Sequence, residues 1–143
     1  MCKTIKQKVK FKAPPMEIYS LLADSKKHQA FTGEKSVIGK KIGGKFSIYS
    51  GHASGIIVDL APGKRIVQAW RGHSFPPGIF SMAAFVLNRT SDGGTELTLT
   101  HRGVPKSHIP EIEKGWRKFY WDKMKQYLMK KKIARSKSTT HSK

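Results

Sequence analysis

The stretch "EKGWRKFYWDKMKQYLMKKKIAR", residues 113–135, sets aromatic side chains among lysines and arginines. Rings and cations sharing one surface would make a stacking platform for single-stranded nucleic acid. Rings on one face and cations on the other would make a core helix with a wet outer side. Placing residues 109–128 at about 100° per step decides between them. Ile109, Ile112, Trp116, Phe119, Tyr120, Met124 and Tyr127 fall in one broad stripe. Lys114, Lys118, Asp122 and Lys125 fall opposite, with Arg117 and Trp121 at the margins. The two kinds of side chain are segregated, so the spacing predicts a long helix with an aromatic stripe on a core. Glu113 and Lys123 lie on or beside that stripe. They are read either as an ion pair or snorkelling stem at a cavity mouth, or as charged groups kept for a ligand.

What lies upstream gives this helix its partner. "TIKQKVKFK" alternates, with Ile5, Val9 and Phe11 on one side and Lys6, Lys8, Lys10 and Lys12 on the other, as an antiparallel strand with one wet face does. "APPMEIYSLLAD" follows, with Pro14 and Pro15 suited to a helix start. A second short helix is expected over "SKKHQAF", closed by Thr32 and Gly33. Short runs rich in Ile, Val, Phe, Thr and Trp then alternate with Gly, Pro and Asp from residue 43 to 103, the texture of an antiparallel meander. "SDGG" at 91–94 is a hairpin turn, because glycine supplies the positive φ that tight turns need. Pro110 can open the long helix. The order predicts an α+β fold: one curved antiparallel β-sheet wrapped around a long C-terminal helix, with two short helices after the first strand. Such an arrangement leaves a space between sheet and helix, the natural place for a ligand.

The 143 residues suit one domain, expected over 1–128, with a basic tail without regular structure over 129–143. No apolar run approaches the length of a membrane span. The start, "MCKTIKQKVKFK", lacks the apolar region of a signal peptide. The single cysteine, Cys2, cannot form an internal disulfide, and a cytoplasmic location is expected. The formal charge is +19, with five lysines in residues 3–12 and six Lys/Arg in residues 129–143, neither stretch holding an acid. Basic ends of this kind attract nucleic acid, anionic lipid or acidic protein surfaces without specificity.

Several segments, taken in order, resemble one family. "QAFTG", "GGKFSI", "SGIIVDLAPGKRIVQAWR", "GGTELTLTHRGVP" and "GWRKFYWDKMKQYL" are similar to the signature of the activator-of-heat-shock-protein-90-ATPase homologues, within the SRPBCC (START-like, helix-grip) superfamily. The resemblance covers roughly residues 3–128. It implies a sheet gripping a C-terminal helix over a hydrophobic cavity, and a chaperone of the heat-shock protein 90 type as partner. The co-chaperone that names the family carries a separate N-terminal domain for which this chain is expected to have no room. Where the family often shows Trp after its "WR" strand, this sequence reads "GHSFPPG" with Phe75.

Catalytic signatures are sparse. Six histidines form no His-x-x-x-His pair and there is no Cys-x-x-Cys, so no metal site is expected. There is no G-x-S-x-G elbow, and "GKKIGGK" lacks the spacing of a phosphate loop. No cofactor is expected. His101 shares a strand face with Leu97 and Leu99, and is either a candidate polar group in the cavity or a histidine satisfied by the backbone. Arg71 and Arg102, at strand ends, are candidates to pair with Glu113 or a ligand carboxylate. The expected cavity residues are Phe46, Ile48, Trp70, Phe85, Leu99, His101, Trp116, Tyr120, Lys123 and Met124. The leading expectation is a non-enzymatic module that holds a small hydrophobic ligand or docks a chaperone. One alternative is a cavity enzyme using His101, Lys123 or Glu113 on an apolar or aromatic small molecule. The other is attachment to anionic polymers or surfaces through the basic termini.

Overall fold

The computed structural model describes the backbone of residues 2–141 and the side chains of residues 3–134. Strand β1 (Cys2–Phe11) leads into helices α1 (Pro15–Ala23) and α2 (Ser25–Thr32). Pro15 opens α1, and the Asp24 carboxylate caps α2 by accepting from the Lys27 amide at 3.0 Å. There follow β2 (Val37–Ile38), β3 (Lys45–Ile48), β4 (Ala53–Ala61), β5 (Arg65–Gly72), β6 (Ser81–Arg89) and β7 (Thr95–Pro105). Among the described residues these form one seven-stranded antiparallel sheet in the order β1-β7-β6-β5-β4-β3-β2. The expected α+β helix-grip architecture is the one the chain adopts. Strand β2 is the element that the composition did not announce.

Alternation sets which side chains reach the core. On β7, Thr95, Leu97, Leu99 and His101 are all buried, while the residues between them are half-exposed. On β1, Gln7 shares the inner face with Ile5, Val9 and Phe11, and Lys6, Lys8 and Lys10 stay exposed along the sheet edge. Gly55 is required where β4 meets β5: a Cβ there would lie 1.7 Å from the Ala69 carbonyl oxygen. Gly93 takes φ of 83° in the β6–β7 turn, as expected of "SDGG".

The C-terminal helix crosses the inner face in three pieces: α3 (Ile109–Gly115), a π-helical turn (Trp116–Trp121) and α4 (Asp122–His141). The turn corrects the regular helical stripe. Phe119, expected within it, is 41% exposed, whereas Trp121, expected at its margin, is 4% exposed. A π turn is wider than an α turn and spreads its residues over a broader arc, so Trp121 comes down beside Tyr120 while Phe119 swings out. Trp121 packs on Phe11 at 6.3 Å between ring centroids, and Trp116 on Phe85 at 5.5 Å. Gln7 ties helix to strand. Its Oε1 accepts from the Trp121 indole at 2.6 Å and its Nε2 donates to the Glu113 carbonyl at 3.0 Å.

Helix α4 runs past residue 128, where the apolar pattern stops, so the stretch expected to lack regular structure is helical as far as His141. Lys, Met, Ala and Arg are good helix formers and can carry a helix beyond its packed part. Met129 and Ile133 are exposed at 58% and 47%, and Lys131 reaches back to Glu17 at 3.4 Å. Residues 142 and 143, and the side chains from 135 onward, lie outside the described residues. No helix among the described residues is long and apolar enough to cross a membrane.

Candidate functional site

A cavity of about 550 Å³ opens between strands β3 to β5, the loop that follows β5, and the helix from His108 to Lys123. That volume falls within the small-molecule range of about 300–1,000 Å³. Its deep wall is buried and mostly aromatic: Ile48, Ala53, Trp70, Phe75, Trp116 and Tyr120. The outer wall is polar and exposed, with Glu34, His52, His73, Ser74 and Glu111. An apolar floor under a polar rim suits a molecule with an apolar body and a wetter end.

The loop that forms one wall is fastened by Arg71. Its guanidinium donates to the carbonyls of Phe75 at 2.7 Å, Pro76 at 2.5 Å and Ile79 at 3.2 Å. The expected pairing of Arg71 or Arg102 with Glu113 is therefore corrected. The ion pairs among the described residues are Arg65 with Asp59 and Lys131 with Glu17. Arg71 is used up by the carbonyls of a proline-containing turn, and among the described residues neither Arg102 nor Glu113 enters an ion pair. At the rim, the His52 and His73 rings meet with their Nδ1 atoms 3.4 Å apart, and His108 donates through Nε2 to the Ser74 carbonyl at 3.2 Å.

Two buried histidines sit behind the aromatic wall. An indole N–H only donates, so Trp116 Nε1, 3.1 Å from His101 Nδ1, makes that nitrogen the acceptor and puts the ring proton on Nε2. Nε2 then donates to Ser81 Oγ at 2.7 Å, and the Ser81 hydroxyl donates to the Trp70 carbonyl at 2.9 Å. His28 meets Ser36 Oγ at 2.6 Å through Nδ1 and the Tyr120 hydroxyl at 2.8 Å through Nε2. Burial pushes both imidazoles down to about 4, so both are neutral near pH 7. Burial also lifts the Tyr120 phenol well above its usual range, with the neighbouring Tyr49 adding to the effect. The Tyr49 phenol is raised by burial and by the Glu34 charge, and its hydroxyl donates to the Phe119 carbonyl.

Of the residues expected at the cavity, Ile48, Trp70, Trp116, Tyr120 and Lys123 line it. Phe46, Phe85, Leu99, His101 and Met124 are buried deeper, where they fill the space between sheet and helix. Lys123 donates to the Thr32 carbonyl at 3.2 Å and stands 5.9 Å from the Tyr49 ring centroid, a lysine stem laid along apolar surface with its charge at the rim. Sequence reasoning missed His28, whose partners stand 8 and 92 residues away. It also missed the rim histidines, which belong to different turns. Among the described residues no group of three or more His, Cys, Asp or Glu is placed to hold a metal ion. One donor remains open: among the described residues, Trp70 Nε1 is the buried side-chain polar atom that finds no partner.

The comparisons with known proteins agree with this architecture. The Homo sapiens protein described as activator of 90 kDa heat shock protein ATPase homolog 1 is 34% identical over 125 residues, which cover 87% of this chain and 36% of that protein. The Dictyostelium discoideum protein described as activator of 90 kDa heat shock protein ATPase homolog is 31% identical over 123 residues, covering 86% of this chain and 32% of its own length. This chain thus spans about a third of the length of these relatives. The crystal structure of an HSP90 activator from Plasmodium falciparum superposes with a TM-score of 0.79 at 21% identity, covering 90% of this chain and 96% of that one. At that identity the likeness speaks to the fold. The profile of the family described as "Activator of Hsp90 ATPase homolog 1-like protein" matches residues 12–129, most of the folded sheet and helix, and the chain belongs to that family.

Proposed function

We propose that this chain is a cytoplasmic, chaperone-associated binding module: it docks a chaperone of the heat-shock protein 90 class and holds a small apolar molecule between its sheet and helix. The observation that carries the ligand half is the cavity itself, about 550 Å³ with an aromatic floor. Binding is favoured over catalysis because the buried titratable groups are committed. His101 and His28 are each hydrogen-bonded through both ring nitrogens and are neutral near pH 7. A general base needs a free nitrogen within reach of substrate. The chaperone half is supported by family membership and stays a proposal for a chain that matches about a third of its relatives' length. Titrating purified heat-shock protein 90 with this chain tests it, by calorimetry and by ATPase rate. Saturable binding with little rise in rate is expected; no binding at any accessible concentration would refute the chaperone half. Native mass spectrometry of the purified chain tests the ligand half by showing whether an apolar molecule is retained.

Charge supports a second reading. Lys6, Lys8 and Lys10 on β1 and Lys12 just after it stand exposed, and the C-terminal stretch adds six more basic residues. We infer non-specific attachment to nucleic acid or anionic vesicles through these ends. Each phosphate neutralised on duplex DNA releases about 0.9 counterion. A salt titration of DNA affinity, with and without residues 130–143, should therefore give a steep slope that shallows on truncation. Equal slopes would move the binding surface away from the C-terminal stretch.

A further inference from the structure

The rim of the cavity holds an arrangement that the apolar floor does not account for. His52 immediately precedes β4 and His73 immediately follows β5, and the two strands pair antiparallel as far as Ala53 and Gly72. One step further the backbones are still joined, because the His73 amide donates to the His52 carbonyl at 2.9 Å. That bond holds the two residues side by side although they stand 21 apart in the chain. Their rings meet edge to face with centroids 4.8 Å apart, and the two Nδ1 atoms face each other at 3.4 Å. Both residues are exposed, and both line the cavity mouth.

A separation of 3.4 Å suits one purpose poorly and another well. It lies beyond about 3.2 Å, the outer end of the usual range for an N–H donor. The one other contact of His73 Nδ1, to the His52 carbonyl, is equally long at 3.4 Å. The two rings therefore gain little from each other as donor and acceptor. Two imidazole nitrogens on one tetrahedral zinc ion, each at about 2.0–2.1 Å from the metal, stand about 3.3–3.4 Å apart. Moving each ring proton to Nε2 leaves both Nδ1 atoms free to act as ligands. We propose that His52 and His73 form a two-histidine zinc site at the cavity mouth, closed through their Nδ1 atoms. Among the described residues no third His, Cys, Asp or Glu completes the set. The site is thus open and exchangeable, with its other positions left to water, and unlike the closed four-ligand sites that hold folds together. It goes beyond the binding reading above and stands whether or not the cavity receives a guest.

Zinc ion titrated into the full chain tests this, with the ring-nitrogen resonances of the histidines followed one by one. The His52 and His73 rings should shift together with a single midpoint. Magnesium ion should move neither, since imidazole suits zinc and magnesium takes oxygen ligands. In His52→Ala and in His73→Ala, the ring that remains should need about tenfold more zinc or beyond, since even an outer partner of a metal ligand is typically worth that much. Both side chains are exposed, so neither variant threatens the fold. Reading each ring separately keeps the result distinct from zinc taken up elsewhere on the chain. Different midpoints for the two rings, or a remaining ring that shifts as readily without its neighbour, would overturn the inference. So would an equal response to magnesium, or two rings unmoved at every zinc concentration in which the chain stays soluble.

Discussion

The indole N–H of Trp116 donates to Nδ1 of His101 at 3.1 Å, and this contact fixes the tautomer of a fully buried imidazole. A protonated His101 would turn two N–H groups outward, one of them against the Trp116 donor. Charging it therefore opposes the fold.

The pH dependence of stability follows. His101 and His28 both titrate near 4 in the folded chain, against about 6.5 when unfolded. Between those values the unfolded chain binds the protons and the folded chain does not. Stability is thus complete above about pH 6.5 and falls as pH drops toward 4, by a few kcal/mol, or roughly 3, for each histidine. Chemical unfolding measured from pH 7.5 to 4 checks this. His101→Gln should flatten the slope by about half; a slope unchanged in that variant would show that the histidine is not held neutral.

The π turn makes a second, sharply opposed pair of expectations. Trp121→Ala and Trp116→Ala each remove a buried ring and should cost about 3–5 kcal/mol. Phe119→Ala, on an exposed ring, should cost about 1 kcal/mol or less, and Lys118→Ala less than about 0.5 kcal/mol. Thermal melts of the four variants decide between this turn and a regular helix, which would make Phe119 the costly residue and Trp121 the cheap one.

Gln7 is the third case. Removing its amide with Gln7→Ala leaves the buried Trp121 N–H without its acceptor and should cost about 1–3 kcal/mol. The double variant Gln7→Ala with Trp121→Phe should recover part of that loss, because no donor is then stranded. Strict additivity of the two substitutions would show that the bond contributes nothing.

Arg71 gives a local rather than global expectation. Arg71→Ala releases the carbonyls of Phe75, Pro76 and Ile79, so amide exchange in residues 73–80 should accelerate while the sheet stays protected. Exchange rates in the loop equal to those of the natural chain would mean that the guanidinium does not fasten it.

How far the sequence could be read depended on the range of the interaction concerned. Strands β4 to β7 were legible because a half-buried strand writes period two into local sequence, and "SDGG" marks its turn. Strand β2 has only two residues, too few to carry a period. The π turn left no trace, since a widened turn is a matter of backbone hydrogen bonding and not of composition. Gln7 stood in plain view on the inner face, at the even spacing of Ile5, Val9 and Phe11, yet its polarity disguised it. The deep cavity wall was legible as far as Trp70, Trp116 and Tyr120. Phe75 and the rim histidines were not, because a loop has no period and contacts distant in sequence, such as His108 on the Ser74 carbonyl, help to place it. His28 with Ser36 and Tyr120 joins residues far apart in the chain, and such pairings exist only once the fold does.

The central claim is that the space under the aromatic wall receives an apolar guest. Naphthalene titrated into the isotope-labelled chain, followed by backbone and side-chain resonances, tests it most directly. Saturable shifts centred on Ile48, Ala53, Trp70, Trp116 and Tyr120, with the exposed outer-face residues Met82 and Val86 unmoved, are expected. Shifts confined to the outer face, or none up to the solubility limit of the probe, would contradict it.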